Sequence, residues 1–151
     1  MKAVADFEDL LFLLRKHAVR YLIVGGLAFI YHAKPRYTKD MDLWVEPSEE
    51  NLTRANEALA EFGSPTLFER ESPGPVIQIG VAPNRIDLMT DLPPADFDEA
   101  WRNHIEAEYG ETPANWIGLD ALLALKAAIP HPRHQEDARV LREVKRLRDG
   151  S

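Results

Sequence analysis

The chain has 151 residues, 45% of them hydrophobic, and a formal net charge of −7. That is enough apolar content for one compact domain with a true core, and the acidic surplus argues against tight non-specific nucleic-acid binding, which rests on many Lys/Arg–phosphate contacts. The absence of cysteine excludes disulfides and thiolate metal sites, and no apolar run approaches the roughly 20 residues that span a membrane.

Asp6 to His17 reads as an amphipathic helix. Phe7, Leu10, Leu11 and Leu14 fall at helical spacing, Ala18 extends the stripe, and Asp6 is the expected N-cap. The opening Met1–Glu8 is acidic too early for a secretory signal, so a cytoplasmic protein without a membrane partner is expected.

Tyr21 to Val24 is a short buried strand ending in Gly25-Gly26. Two adjacent glycines permit positive φ and close approach of another group to the backbone. Leu27 to His32 then reads as a helix whose first N–H groups point at any anion placed at the turn. Pro35 ends that helix. The loop Lys34–Lys39 is basic, with Arg36, Thr38 and Lys39 as candidate phosphate contacts. Arg suits bidentate phosphate binding, while Thr38 has the alternative of bracing the loop.

In Lys39–Val45, Met41, Leu43 and Val45 alternate with Asp40, Asp42 and Trp44. Residues i and i+2 of a strand share a face, so Asp40 and Asp42 point the same way. Two carboxylates that close raise one pKa unless a cation lies between them, and hard oxygens suit magnesium.

Ser48 caps a helix with Leu52, Ala55, Leu59 and Phe62 on its inner stripe and Gly63 at its end. Thr66–Glu69 is a candidate short strand, Glu71–Pro75 a turn, and Val76–Val81 a strand. Ala82–Asn84 turns into Arg85–Met89, making a hairpin. There Ile86 and Leu88 face a core and Asp87 the opposite side. If this strand lies beside Asp40 and Asp42, the three carboxylates converge, enough for a two-metal site.

Asp91–Asp98 is a loop, and Phe97, Ala100 and Trp101 suggest a short helix. Ile105–Trp116 is either a hairpin or an irregular crossing. Leu119–Ile129 is a strongly apolar helix carrying Lys126, His131–His134 a loop, and Gln135–Arg148 a last helix with Val140, Leu141, Val144 and Leu147 inward. The plain reading of Lys126 is a snorkelling lysine, and of His131 and His134 loop residues.

Gly25-Gly26, then Thr38-Lys39-Asp40-Met41-Asp42-Leu43, then Ile86-Asp87-Leu88, resembles the nucleotidyltransferase fold of the DNA polymerase β superfamily. Within it, the chain resembles small prokaryotic nucleotidyltransferases related to AbiEii-type toxins. Lys126, Arg133 and Asp137 match the C-terminal motif of that group, whereas His131 and His134 stand where Arg and Asp are usual.

The resemblance implies an α/β (α+β) architecture, a mixed β-sheet flanked by helices with C-terminal helices. It implies a single nucleotidyltransferase domain over residues 1–151, with a catalytic sheet core in 1–92 and a mostly helical part in 93–151. It further implies transfer of a nucleoside monophosphate from an NTP such as ATP to a hydroxyl acceptor. Asp40, Asp42 and Asp87 would be catalytic and hold Mg2+ (two ions, with Mn2+ as an alternative). Gly25, Gly26, Arg36, Thr38, Lys39, Lys126 and Arg133 would contact the nucleotide. The acceptor is left open between tRNA, a protein and a small molecule, and a cognate toxin or antitoxin partner is expected on the same ground. A nucleotide-binding partner that keeps the fold without turnover is the alternative.

Overall fold

The computed structural model describes residues 3–69, 76–81 and 83–150. The elements in chain order are α1 (Ala5–Lys16), β1 (Tyr21–Val24), α2 (Gly25–His32), β2 (Asp40–Val45), α3 (Glu49–Phe62), β3 (Ile77–Ile79), β4 (Arg85–Met89), α4 (Phe97–Arg102), β5 (Ile105–Tyr109), β6 (Thr112–Trp116), α5 (Leu119–Ala127) and α6 (Pro132–Asp149). One mixed sheet runs in the order β3-β4-β2-β1-β6-β5. β2 pairs antiparallel with β1 and parallel with β4, and β1 pairs parallel with β6. Two of the six strands, β5 and β6, therefore come from beyond residue 92.

Strand alternation divides the core in two. Tyr21, Ile23, Met41, Leu43, Val45, Ile86 and Leu88 face α1 and α3, joined by Phe7, Leu10, Leu14, Ala55 and Leu59. Leu22, Val24 and Trp44 face the other side with Phe29, Phe97, Leu119, Leu122 and Leu141. The period of two thus sends Asp40 and Asp42 to the side of Trp44, the side of α2, α5 and α6. Trp44 fills that side, lying edge-on to Phe97 at 5.2 Å between ring centroids.

Several local readings hold. Ser48 accepts a hydrogen bond from the Asn51 N–H at the start of α3, and Gly63 ends the helix with φ 93°. Residues 105–116 form the hairpin rather than an irregular crossing, turning at Gly110 with φ 60°.

Others are corrected. The residue capping α1 is Val4, which offers no side-chain acceptor, because the helix begins one residue before Asp6. Ala18 leaves the helix with φ 54°. Thr66–Glu69 forms no strand: the Phe68 backbone is held from both sides by the Asn56 amide, at 2.7 and 2.9 Å, which satisfies it without a ladder. α6 starts at Pro132, not Gln135. His131 is its N-cap and accepts from the Arg133 N–H at 3.1 Å, and Pro132 suits the first turn, where its missing N–H costs nothing. The expected turn at Glu71–Pro75 lies outside the described residues.

Candidate active site

The catalytic-looking residues meet at one end of the sheet, where β1 ends and β2 and β4 begin. In the β2–β4 register Asp42 stands directly opposite Asp87, and Asp40 opposite Arg85. Directly paired residues of neighbouring strands project to the same face, so the three acids share one side as the alternation requires. Val24, the last residue of β1, pairs with Asp42, which brings the glycine turn onto the same spot.

α2 starts at Gly25 itself, two residues earlier than the apolar run suggests. Gly25 has φ +65°, and a Cβ there would overlap Asp42 Oδ2. Two demands thus fall on one residue, a left-handed backbone and room for a carboxylate, and glycine meets both. A Cβ on Gly26 would lie 2.7 Å from Thr38 Oγ1. Val24, as N-cap, gives no side-chain acceptor to the first turn, leaving its N–H groups open to an anion.

The acids are under-neutralised. Arg85 supplies the nearby positive charge: Nη2 donates to Asp40 Oδ2 at 2.9 Å, and Nε lies 3.1 Å from Asp87 Oδ1. The second contact is a charge pairing without hydrogen-bond alignment, since Arg85 Nε and Asp87 Oδ1 both lack a hydrogen-bond partner, as does Asp40 Oδ1. Burial, reinforced by the neighbouring charges of Asp87 and Asp40, pushes Asp42 up to about 6. Burial also raises Asp87, against the opposing pull of Arg85.

This donor set fits a hard divalent cation. Two buried carboxylate oxygens have no hydrogen-bond partner, and a carboxylate held well above its usual range lacks compensating charge. Among the described residues, no three His, Asp or Glu side chains are gathered as a ready cage. The Arg85 guanidinium reaches both Asp40 and Asp87.

The other nucleotide candidates are arranged differently. Arg36 forks onto Asp137, Nη1 to Oδ1 at 2.7 Å and Nη2 to Oδ2 at 3.1 Å, and its guanidinium lies over the Phe29 ring at 4.1 Å. Lys126 Nζ reaches Asp137 Oδ2 at 3.0 Å and His134 Nδ1 at 3.4 Å. Lys126 and Asp137 are both buried, so the lysine is inward and paired rather than snorkelling. The two bound cations lower the Asp137 carboxyl against the upward push of burial. Burial, with Lys126 close by, holds the His134 imidazole below its usual pKa. Thr38 is half-buried and donates to the Asp40 carbonyl at 3.4 Å, the loop-bracing option. Lys39 and Arg133 are exposed.

Sequence reasoning left two residues out of the site. Arg85 was detectable, since it sits two positions before Asp87 on the same strand and therefore shares its face. Asp137 was visible as a motif match, but its partners were not. A cavity of about 590 Å³ lies between α4 and α5 and is lined by Asp96, Glu99, Asn103, Asp120 and Leu125 among others, with none of the three acids.

No protein-family model matches the chain, and no curated protein matches it by sequence. Solved structures do match. The structure of ANT(2'')-Ia in complex with adenylyl-2''-tobramycin superposes with a TM-score of 0.57 over 95% of this chain and 93% of that one, at 16% identity. This chain has the nucleotidyltransferase fold. The lincosamide antibiotic adenylyltransferase LnuA, lincomycin-bound, gives a TM-score of 0.54 at 13% identity, covering 95% of this chain and 99% of that one. An antigenic nucleotidyltransferase-like protein from Paracoccidioides brasiliensis gives 0.57 at 13% identity, covering 96% and 78%. At such identities the likeness is one of fold. No helix among the described residues is long and apolar enough to cross a membrane.

Proposed function

We propose that the chain is a metal-dependent nucleotidyltransferase that moves a nucleoside monophosphate from an NTP to a hydroxyl acceptor. The observation that carries this reading is the in-register Asp42–Asp87 pair, with Asp40 beside it, packed under a glycine turn that opens a helix.

Asp40, Asp42 and Asp87 would hold Mg2+ or Mn2+, whose charge would neutralise the triphosphate and the leaving pyrophosphate. Gly25 and Gly26 leave the first N–H groups of α2 open to the β- and γ-phosphates. The acceptor oxygen attacks the α-phosphorus, the α–β bridging P–O bond breaks, and pyrophosphate leaves. Asp87 takes the hydroxyl proton at Oδ1, an oxygen without a hydrogen-bond partner. The rest is positioning and charge stabilisation, as in phosphoryl transfer generally. Arg36 and Lys126 act here through Asp137, by fixing the loop that leads into Asp40. Direct nucleotide contact falls to Lys39 and Arg133, whose side chains are exposed.

A small hydroxylated molecule is the favoured acceptor. The net charge of −7 disfavours a large RNA, and tobramycin and lincomycin appear with two proteins of the same fold. The AbiEii-type reading, with its toxin–antitoxin role in the cytoplasm, points instead toward tRNA. One experiment separates them: incubation with each α-labelled NTP and Mg2+ or Mn2+, offering small polyhydroxylated compounds, total RNA and a protein extract in turn. Labelled product with stoichiometric pyrophosphate is expected from wild type and not from Asp42→Asn. Free labelled monophosphate would make the chain a hydrolase. Nucleotide binding with no pyrophosphate from any acceptor would make it the non-catalytic binding partner.

A further inference from the structure

The acid cluster already carries a cation of the chain's own. Arg85 stands two residues before Asp87 on β4 and directly opposite Asp40 on β2, so it enters the face the three acids share. Its guanidinium spans the cluster, hydrogen-bonded to Asp40 at 2.9 Å and charge-paired with Asp87 at 3.1 Å. The side chain is 34% exposed, against 10% for Asp87. Of the two it is the more exposed partner, although its Nε is buried. Nε, turned toward Asp87, makes no aligned hydrogen bond, so one of its two contacts is electrostatic alone.

We propose that Arg85 is an internal counter-cation that competes with the divalent metal for the same carboxylate oxygens. This inference rests on the metal site proposed above and deepens it. Three carboxylates brought together on two strands repel one another, and Asp42 gains no direct contact from Arg85. One guanidinium lets the strands pair while leaving the cluster net negative. A divalent cation entering the cluster must take the Asp40 and Asp87 oxygens from Arg85, and its affinity is reduced by what that pairing is worth. Arg85 thereby sets how strongly the site binds metal, and protects the acid cluster from mutual repulsion until metal arrives. It acts through the carboxylates, as a positioning residue.

The test is metal binding, read without turnover. Mn2+ is titrated into wild type, Arg85→Gln and Arg85→Lys, with affinity taken from the free-Mn2+ electron paramagnetic resonance signal. Thermal unfolding is followed with chelator and with saturating Mn2+. Arg85→Gln is expected to bind Mn2+ roughly ten-fold more tightly, since one opposite charge this close shifts a carboxylate equilibrium by about that much or more. It should also unfold at a lower temperature in chelator and show a larger stabilisation by Mn2+. Arg85→Lys keeps the charge on a more flexible stem and should fall between; it carries the test alone if Arg85→Gln fails to fold. Equal or weaker Mn2+ binding by the variants, with wild type binding well, overturns the competition and leaves the metal site standing. No Mn2+ binding by any of the three overturns the metal site as well.

Discussion

Two clusters of charge flank the loop between α2 and β2, and they are balanced in opposite senses. At the sheet end, Asp40 and Asp87 share Arg85, with Asp42 beside them. On the helical side, Asp137 alone is shared by Arg36 and Lys126. The same physics moves their acids apart: burial raises Asp42 to about 6 where compensating charge is scarce, and two cations lower Asp137 where it is in surplus. A surplus of partners inside the fold makes a clamp that is complete by itself. A deficit is what the proposed metal site requires, since a cation from solution would complete it. On the proposed reading one cluster is structural and the other chemical, and a variant on each side distinguishes them.

Asp42→Asn should have the largest effect. Nucleotidyl transfer is expected to fall on the order of a thousand-fold, the scale of losing a central electrostatic contact to the transition state. Folding should survive, because the amide is isosteric. Steady-state pyrophosphate release and circular dichroism check the two halves. Turnover near wild type would take Asp42 out of the site.

Asp137→Ala should act on stability instead. It leaves a half-buried guanidinium and a buried ammonium without their shared carboxylate, which costs about 3–5 kcal/mol when one partner of a buried ion pair is removed. Urea unfolding measures it. A loss under 1 kcal/mol would mean that the clamp holds nothing together.

How much of this was legible before the fold was known differs between the clusters. The acid cluster could be read because its information is local. The alternation of Met41, Leu43 and Val45 with Asp40 and Asp42 specifies a shared face, the glycine pair specifies a turn, and Ile86 and Leu88 turn Asp87 outward. The parallel pairing that joins β2 to β4 needed the structure, since residues 46–84, with a helix and another strand, separate them. The Arg36–Asp137–Lys126 clamp was opaque for the same reason. Its members come from a loop and two helices, and a lysine on an apolar helix looks alike whether it snorkels or finds a buried partner. Thr66–Glu69 misled because its apolar residues suit a strand, while Asn56, twelve residues earlier, takes its backbone hydrogen bonds.

The pH dependence of stability should reverse between the clusters. Asp42 has a folded pKa above its ordinary 3.8, so the native state keeps its proton longer than the unfolded chain. Its ionisation therefore removes stability as pH rises from about 4 to about 6, by up to roughly 3 kcal/mol. Asp42→Asn should lose that slope and gain stability over wild type at pH 7. Asp137 has a lowered pKa, so its contribution is present above about 4 and disappears as pH falls through the folded value. Urea midpoints of wild type, Asp42→Asn and Asp137→Ala from pH 2 to 7.5 resolve the two. If wild type and Asp42→Asn run parallel throughout, Asp42 is not the strained acid.

The mildest change sharpens the contrast most. Arg36→Met removes one of two cations from Asp137 and leaves Lys126 at 3.0 Å, so the buried carboxylate keeps a partner and the pair is neutral. Methionine preserves packing against Phe29, losing the cation–π contact and the fork onto Asp137. A cost of about 1–2 kcal/mol is expected, clearly below that of Asp137→Ala, because no charge is stranded. The order of the two urea midpoints is the measurement. If Arg36→Met is as damaging as Asp137→Ala, Lys126 does not compensate the carboxylate alone, and the second cation is a necessity rather than a surplus. The helical cluster would then be as finely balanced as the acid one, and the division between a self-sufficient clamp and a proposed metal site would no longer follow from counting charges.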